Sequence, residues 1–333
     1  MTAHADVPLR NGVILPGATI DEMLSHADTR NSRVWFESLP GMVDAWCDRW
    51  ETTLHPEVPH LTYNVVLFGS SATEGEVVLK LAPPGMEFAS EVAGIRAFQG
   101  PEFVRLIHAD PDAAGMLIER VLPGTPLRAF DVRIDDATAT AIGATMLTRL
   151  WRPAPSEAGG LISLQRWFRD LFRLRDQLRD GRADLPISRD SVEYATAIAE
   201  DLLGTPDPVV LHGDLHHGNI LENAAGGWTV IDPKGLIGDR AYDVGTWMLN
   251  GWPASEPGDQ ESIQRRRVDI FADGLHLPRE RIIAGALVHA TLVIAWACVE
   301  ATAEEFVRDP WLQGTLKAQA IFERMAIDAG MQG

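Results

Sequence analysis

Three polar residues within one short stretch constrain this chain more than any other feature of its sequence. Asp214 follows the apolar run 209–211, Asn219 comes after four intervening residues, and Asp232 ends a second apolar run. Phosphoryl transfer requires a carboxylate beside the attacking hydroxyl and hard oxygen ligands that hold Mg²⁺ against nucleotide phosphates. The pattern therefore predicts a phosphoryl-transfer site, with Asp214 as the catalytic base and Asn219 and Asp232 as Mg²⁺ ligands.

The segment between Asn219 and Asp232 indicates how these side chains would meet. Residues 219–221 and 228–231 are short apolar runs, and the glycine-containing stretch 222–227 separates them, which is typical of a β-hairpin. Such a hairpin brings the two side chains to one edge. A lone His-Gly-Asp is usually a loop with a capping aspartate, but the hairpin and the second aspartate in the right order favour the catalytic interpretation. We call residues 212–219 the catalytic loop.

These motifs resemble the aminoglycoside phosphotransferase superfamily of small-molecule kinases, whose hallmark is His-Gly-Asp followed by Asn and then Ile-Asp. The matching residues are His212, Gly213, Asp214, Asn219, Ile231 and Asp232. The continuation through 231–239 and 242–244 is similar to the streptomycin 6-phosphotransferase and hydroxyurea phosphotransferase family. The resemblance implies an α+β, bilobal, protein-kinase-like fold, with a small β-rich N-terminal lobe and a larger helical C-terminal lobe. It also implies that ATP and Mg²⁺ are used.

A lysine and a glutamate upstream extend the resemblance. Residues 76–81 alternate like a strand that presents Lys80 on one face, and the helical pattern 87–98 carries Glu91. In kinase-like folds a strand lysine holds the α- and β-phosphates, and a helix glutamate steadies it. Taken alone, such residues are usually solvated surface groups. Their order ahead of Asp214 favours nucleotide binding.

The run 116–124 is expected to be the last strand of the small lobe and the hinge, whose backbone would read the adenine edge. The hinge candidates are Glu119, Arg120, Val121 and Leu122. Two loops compete to cover the phosphates: 69–75, which contains two glycines, and 60–64. The sequence favours neither loop.

Length and composition agree with a two-lobed enzyme. The chain of 333 residues exceeds one average domain, and its 46% hydrophobic content suffices for two cores. The predicted N-terminal lobe is 1–122, in which a helical extension over 20–54 precedes the sheet. The predicted C-terminal lobe is 123–333 and contains the catalytic loop and the substrate pocket.

Composition also narrows the partners and the compartment. The first residues lack a basic segment followed by an apolar one, and the longest apolar run, 286–299, is too short for a bilayer and is expected to be a buried helix. Cys47 and Cys298 fall in separate lobes, which favours reduced thiols in a cytoplasm. The net charge of −18 argues against a nucleic-acid partner and suits a small cationic substrate. We expect no membrane partner, and a monomer or homodimer.

The acceptor pocket is expected on the helical side of the cleft, facing Asp214. Carboxylates would pair with guanidinium or ammonium groups, and a sugar or cyclitol ring would lie against a tryptophan. The candidates are Asp239, Asp243, Trp247, Trp252, Glu300, Glu304 and Glu305. Asp243 has an alternative role as a cap that braces the catalytic loop, and Trp247 has one as a core residue.

Other residues near the motif have open roles. Lys234 would offset the carboxylates around the metal, contact a phosphate, or form a plain salt bridge. One of His216 and His217 is expected to orient the backbone. By resemblance, the reaction is transfer of the γ-phosphate of ATP to a hydroxyl of a small cationic molecule, with streptomycin at its 6-hydroxyl as the first candidate. The alternatives are another antibiotic, an amino sugar or a metabolite as acceptor, and a non-catalytic nucleotide-binding regulator.

Overall fold

The first third of the described chain combines helices with most of one antiparallel sheet, short strands surround the catalytic loop, and helices form most of the remainder. The computed structural model describes residues 4–26, 30–57, 64–83, 85–130, 134–182, 185–251, 260–300 and 309–332. The helices are α1 (Gly17–His26), α2 (Arg30–Arg49), α3 (Met86–Ala97), α4 (Asp136–Leu150), α5 (Leu164–Trp167), α6 (Arg169–Arg179), α7 (Arg189–Leu203), α8 (Gly245–Leu249), α9 (Gln260–Leu275), α10 (Arg279–Glu300) and α11 (Pro310–Asp328). The strands are β1 (Val7–Pro8), β2 (Ile14–Leu15), β3 (Thr52–Leu54), β4 (Val65–Ser71), β5 (Gly75–Leu81), β6 (Leu106–Asp110), β7 (Gly115–Glu119), β8 (Pro123–Pro126), β9 (Arg152–Pro153), β10 (Ile162–Ser163), β11 (Val209–Leu211), β12 (Ile220–Asn223), β13 (Trp228–Val230) and β14 (Leu236–Gly238). Short 3₁₀ helices cover Arg10–Gly12, Leu127–Phe130 and Arg240–Val244.

A five-stranded antiparallel sheet, in the order β3-β4-β5-β7-β6, forms the N-terminal part of the molecule. Its central strand β5 is buried on both faces. Val77, Leu79 and Leu81 are at most 1% exposed and share a core with apolar residues of α1 and α2. Val78 and Lys80 lie on the opposite face, and Val78 joins the larger core of the molecule. The alternation therefore directs Lys80 away from α1 and α2.

The predicted helix over 20–54 is divided in the structure. α1 ends at His26 and α2 at Arg49, while residues 52–54 form the edge strand β3. Between α2 and β3, Glu51 takes a left-handed conformation with φ of 47°. A left-handed residue cannot continue a right-handed helix, so the chain turns there and pairs with β4 instead.

Strand register decides between the two loops that could cover the phosphates. Lys80 is paired with Val66, the second residue of β4, so the connection from β3 to β4 enters the sheet beside Lys80. The turn between β4 and β5 lies at the other end, where Ser71 is paired with Gly75. Five residues at about 3.3 Å each put that turn roughly 16 Å from Lys80. The loop 69–75 therefore lies far from Lys80, whereas residue 64, the last of the alternative loop 60–64, directly precedes β4 beside it. Residues 60–63 lie outside the described ranges.

Two small sheets frame the catalytic loop in the C-terminal half. β12 and β13 form the predicted hairpin, with Ile220 paired to Val230, and β8 lies on the other side of β12. β11, just before the loop, pairs with β14 and β9. The amide of Val104 donates to the carbonyl of Val230 at 3.0 Å. The hairpin is thus tied both to the helical half and to the chain that leads into the N-terminal sheet.

α10 lies at the centre of the helical half, against α6, α7, α8, α9 and α11. By length and composition, its stretch Arg279–Cys298 could cross a membrane, but 83% of its apolar window is buried inside the structure. The prediction of a buried helix over 286–299 is confirmed. One apolar core lies within residues 9–117 and the other within residues 78–326, and β5 contributes to both. The lobe boundary after residue 122 stays a prediction.

Candidate active site

Three charged side chains from distant parts of the chain meet at the cleft face of the N-terminal sheet. Lys80 Nζ lies 2.6 Å from Glu91 Oε1 on α3 and 3.0 Å from Asp232 Oδ1 after β13. Burial disfavours a charged lysine, but the carboxylates of Asp232 and Glu91 outweigh it and raise the pKa of Lys80. Burial also raises the pKa of Glu91, to about 7, against the attraction of the lysine. At 2.6 Å from a charged ammonium, we take the ionised form of Glu91 as the relevant one.

Asp232 is placed by an unusual backbone conformation. Its φ is 59°, in the left-handed region that aspartate tolerates better than most residues. The amide of Ile231, just before it, donates to the carbonyl of Asn219 at 3.0 Å. Desolvation opposes its charge, but Lys80 lowers the pKa of Asp232. The side chain remains 42% exposed, so a negatively charged carboxylate stays accessible from the cleft.

His212 links the catalytic loop to the hairpin. Its Nδ1 accepts from the amide of Asp214 at 3.1 Å, and its Nε2 contacts the carbonyl of Ile231 at 2.9 Å. The ring is fully buried, and burial lowers the pKa of His212 to about 3. A neutral ring with its proton on Nε2 satisfies both contacts. His212 is therefore a positioning residue for the backbone on either side of Asp214 and Asp232.

Asp243 braces the same loop from beneath. Its Oδ2 accepts from the amide of His212 and from Trp151 Nε1, both at 3.0 Å, and its Oδ1 accepts from the amide of Gly213 at 2.6 Å. Burial raises the pKa of Asp243 to about 6, although these donors favour the ionised form. Gly213 has a φ of 76°, and a Cβ there would lie 2.7 Å from Leu236. Only glycine fits this turn, and Asp243 holds it.

Asp214 and Asn219 lie at opposite ends of the braced loop. Asn219 Nδ2 donates to the backbone carbonyl of Asp214 at 3.0 Å, which fixes the amide and turns its Oδ1 away from that contact. Burial raises the pKa of Asp214 to about 6, an effect that the charge of Lys234 opposes. The loop therefore presents a carboxylate of raised basicity at one end and a fixed amide at the other.

The donor set fits Mg²⁺ held partly by phosphate. Asn219 and Asp232 offer hard oxygen ligands, and Mg²⁺ usually takes only one or two protein carboxylates and completes its shell with phosphates and water. Within the described ranges, no group of three or more histidine, cysteine, aspartate or glutamate residues has the geometry of a metal site. A closed, all-protein metal site is therefore not part of the described structure.

The backbone contacts at the predicted hinge divide the four candidates. The amide of Glu119 donates to the carbonyl of Arg105 at 3.0 Å, and that of Arg120 to the carbonyl of Glu76 at 2.9 Å. Both N–H groups already donate to backbone carbonyls and cannot also donate to the edge of an adenine ring. The donor role predicted for the hinge is therefore left to residues 121–122.

The three predicted acceptor contacts that the structure describes, Asp239, Asp243 and Trp247, are buried. Asp243 is 2% exposed and Trp247 0%. Asp239 is 7% exposed, because it caps Ala241 N at 2.8 Å and meets Arg281 Nη2 at 2.5 Å. These three side chains are committed to the interior, which corrects their assignment as substrate contacts. Four further candidates are not described: Trp252, Glu304 and Glu305 lie outside the described ranges, as does the side chain of Glu300.

A buried polar network beneath Asp214 was missed by sequence reasoning. Trp167 Nε1 donates to the hydroxyl of Tyr242 at 2.8 Å, and that hydroxyl lies 3.0 Å from His289 Nδ1. Thr246 Oγ1 lies 3.3 Å from His289 Nε2. These residues are dispersed over more than a hundred positions, so no local pattern reports that they meet. The network supports the segment that carries Asp243.

The other two histidines of the catalytic loop, His216 and His217, also have structural contacts. His216 Nδ1 accepts from the amide of Gly218 at 2.9 Å, which agrees with the expectation that one of the pair orients the backbone. His217 packs against Trp247, with ring centroids 3.8 Å apart. Burial lowers the pKa values of His216 and His217 to about 4 and about 3, so neither is charged near neutrality.

Comparison with known proteins places this site in a family. Residues 49–300 match the family model described as aminoglycoside/hydroxyurea antibiotic resistance kinase. A streptomycin 6-kinase of Streptomyces griseus is 31% identical over 83% of this chain and 88% of its own length. A hydroxyurea phosphotransferase of Kitasatospora aureofaciens is 30% identical over 85% of this chain and 80% of its own.

The fold has similar solved structures at much lower sequence identity. A choline/ethanolamine kinase family protein from Mesorhizobium loti matches with a TM-score of 0.56 at 16% identity, over 83% of this chain and 88% of its own. The predicted α+β, bilobal, protein-kinase-like fold is confirmed.

Proposed function

Because the chain belongs to the aminoglycoside/hydroxyurea antibiotic resistance kinase family, we propose that it transfers the γ-phosphate of ATP to the 6-hydroxyl of streptomycin. The enzyme class, a phosphotransferase that acts on hydroxyl groups of small molecules, follows from the family itself. The acceptor, ATP as the donor, and Mg²⁺ are the proposal. The observation that carries it is the meeting of Lys80, Glu91 and Asp232 across the cleft.

Each residue of the site has one role in this reaction. Lys80 binds the α- and β-phosphates, and Glu91 keeps its ammonium in place. Asn219 and Asp232 hold Mg²⁺, which neutralises charge on the phosphates when bound. Asp214 accepts the proton of the acceptor hydroxyl. The hydroxyl oxygen bonds to the γ-phosphorus as the bond between that phosphorus and ADP breaks.

Two observations support streptomycin as the acceptor: the net charge of the chain and its similarity to a streptomycin 6-kinase. The net charge of −18 attracts a polycationic compound to the cleft. The streptomycin 6-kinase of S. griseus is a relative over most of both chains. Hydroxyurea is the second candidate, because a hydroxyurea phosphotransferase is similar over a comparable length. Glu300 and Glu304 remain the proposed contacts for the cationic groups of the acceptor.

The wider setting is proposed on the same basis. Residues 1–122 form the nucleotide-binding lobe and residues 123–333 the catalytic and acceptor lobe, so that Lys80 and Asp214 approach ATP from opposite sides. We propose a cytoplasmic monomer or homodimer without a nucleic-acid or membrane partner. Size-exclusion chromatography with light scattering measures the oligomeric state directly.

Expression in a streptomycin-sensitive bacterium tests the acceptor. The wild-type gene is expected to raise the tolerated streptomycin concentration, and Asp214→Asn, expressed at equal level, is expected to give no protection. Purified protein with ATP and Mg²⁺ should produce streptomycin of 80 Da greater mass, one HPO₃ unit, and phosphorylation at the 6-hydroxyl is assigned by NMR. Phosphorylation of hydroxyurea but not streptomycin would select the second candidate. Absence of nucleotide binding would reject the kinase proposal as a whole.

A further inference from the structure

The distribution of lysine in this chain is unusual. The 29 basic residues comprise 26 arginines and only three lysines, at positions 80, 234 and 317. Lys80 bonds Asp232, and the backbone amide of Lys234 bonds the catalytic loop at His212, whereas Lys317 is an exposed residue of α11. Lysine carries a compact charge on a flexible stem, and arginine a planar fork with fixed geometry. Two of the three lysines, with their compact charges, therefore belong to the site proposed to bind phosphates.

The backbone of Lys234 is fixed between the catalytic loop and α3. Its amide donates to the carbonyl of His212 at 2.7 Å, and its carbonyl accepts from Ser90 Oγ at 2.8 Å. The next residue, Gly235, has a φ of 65°, and a Cβ there would lie 1.9 Å from the carbonyl oxygen of Ser90. The main chain at Lys234 is therefore held by contacts to both the catalytic loop and α3.

The side chain of Lys234 is partly exposed, and its ammonium is paired with Glu87. Its Nζ is 3.2 Å from Glu87 Oε2, in a pair whose side chains are 34% and 66% exposed. Burial disfavours its charge, but Glu87 and Asp214 raise the pKa of Lys234, so the ammonium is retained. The backbone amide of Lys234 bonds the carbonyl of His212, two residues before Asp214, so Lys234 lies beside the proposed base, yet the direct partner of its ammonium is an exposed carboxylate.

The two cleft lysines are held in opposite ways. Lys80 is 3% exposed, and its ammonium already bonds Glu91 and Asp232. Lys234 is paired with a carboxylate that is mostly in water, and exposed ion pairs contribute little to stability. Exchanging Glu87 for a phosphate oxygen therefore costs little. Two partners hold the ammonium of Lys80 in place, whereas the ammonium of Lys234 can exchange Glu87 for another anion.

We infer that Lys234 is a further catalytic residue, whose ammonium leaves Glu87 and binds the non-bridging oxygens of the γ-phosphate during transfer. The inference rests on the proposed kinase function. Lys234 keeps its three protons throughout, since the hydroxyl proton goes to Asp214. Its charge stabilises the phosphoryl group while the bond to ADP breaks and the bond to the acceptor oxygen forms. Glu87 holds the ammonium in position when no nucleotide is bound.

Binding of Mg·ATP and Mg·ADP, measured by isothermal titration calorimetry, tests this without any acceptor. Lys234→Met is expected to weaken ATP binding ~10-fold or more, as for a lost charge-assisted hydrogen bond, and to leave ADP binding within about twofold. Lys317→Met removes the same side chain far from the cleft and is expected to match the wild type for both nucleotides. Glu87→Gln is expected to retain or improve ATP binding, because it releases the ammonium from its competitor.

The ratio of ATP to ADP affinity decides the outcome. An unchanged ratio in Lys234→Met, whether both affinities persist or both fall, would show that Lys234 is a surface ion pair with no γ-phosphate contact. Equal effects of Lys234→Met and Glu87→Gln would show the same. If Lys234→Met does not fold, Lys234→Gln and Lys234→Arg provide the ratio, and the arginine variant should recover part of the ATP preference. A wild type that binds neither nucleotide rejects the kinase proposal itself, whereas failure to phosphorylate streptomycin leaves this test intact.

Discussion

The two sides of the cleft are built differently, although the chain just after β13 contributes to both. On the nucleotide side, charged side chains meet one another: Lys80 bridges Glu91 and Asp232. On the acceptor side, the carboxylates singled out in the sequence meet main-chain amides instead. Asp239 caps Ala241, and Asp243 accepts from the backbone of the catalytic loop. On one side the charges pair with one another, and on the other they hold the loop.

This contrast separates two uses of a carboxylate that look alike in sequence. A carboxylate that accepts backbone amides is saturated by the fold and has little left to offer a ligand. A carboxylate paired across a cleft with a lysine can exchange that partner for a metal or a phosphate. Asp232, at 42% side-chain exposure, belongs to the second group, and Asp243, at 2%, to the first.

The largest expected effect is on Asp214. Asp214→Asn removes the base and leaves the brace and the metal ligands in place, so kcat should fall by about 10²–10⁴-fold, the usual contribution of a positioned base. The affinity for Mg·ATP, measured by calorimetry, should change little. Turnover close to that of the wild type would remove Asp214 from the role of base.

The next largest effect is expected at Asp243, which accepts hydrogen bonds from the backbone of the catalytic loop. In Asp243→Asn one carboxylate oxygen becomes an NH₂ group that faces N–H donors of the loop. We expect kcat to fall for every acceptor, by roughly 10²-fold for a misplaced base. The free energy of unfolding, from urea titration, should fall by about 1–3 kcal/mol. If Asp243 instead raised only the KM of cationic acceptors, with unchanged stability, it would belong to the substrate pocket after all.

The metal ligands should respond to a different variable. Asn219→Ala and Asp232→Ala remove oxygen ligands, and loss of even the groups that support ligands costs about 10–100-fold in metal affinity or activity. Raising the Mg²⁺ concentration should recover part of the activity of both variants, because mass action refills a weakened site. Asp214→Asn should gain nothing from added Mg²⁺. Three identical Mg²⁺ titrations would mean that the ligands and the base are misassigned.

The meeting of Lys80, Glu91 and Asp232 could be predicted from the sequence, because phosphoryl-transfer chemistry requires these residue types in a given order. An aspartate, an asparagine and an aspartate at these spacings, with Lys80 upstream, leave few other interpretations. The hairpin β12–β13 follows from its own apolar runs and turn, so it too is a local property. These are features in which the chain near each residue carries the information.

The acceptor side was less accessible because burial is a property of the whole fold. Asp239 and Asp243 follow Asp232 closely in the sequence. Nothing in the neighbouring sequence reveals that Arg281 will bond the carboxylate of Asp239, or Trp151 that of Asp243. The choice between the two phosphate loops likewise required strand register, since only the pairing of Lys80 with Val66 shows which end of the hairpin faces the site. The first two contacts join residues 42 and 92 positions apart, and no periodicity records them.

The smallest effect, and the sharpest test of the contrast, is at Asp239. Asp239→Asn keeps an oxygen for the amide of Ala241 but loses the charge opposite Arg281, whose side chain is 28% exposed. The free energy of unfolding should fall by about 1 kcal/mol or less, as for a partly solvated ion pair. KM for a cationic acceptor should not change.

Glu304→Gln provides the matched comparison, because it removes the same charge from a residue still proposed to contact the acceptor. Loss of a charge-assisted hydrogen bond there should raise the acceptor KM by about tenfold or more, without a change in KM for ATP. Raised salt should reproduce part of that effect, since ion pairs within a cleft are only partly screened. If Asp239→Asn raises the acceptor KM as much as Glu304→Gln, then the acceptor reaches Asp239 by displacing Arg281. The distinction between carboxylates that hold the fold and carboxylates that bind a ligand would then fail at this position.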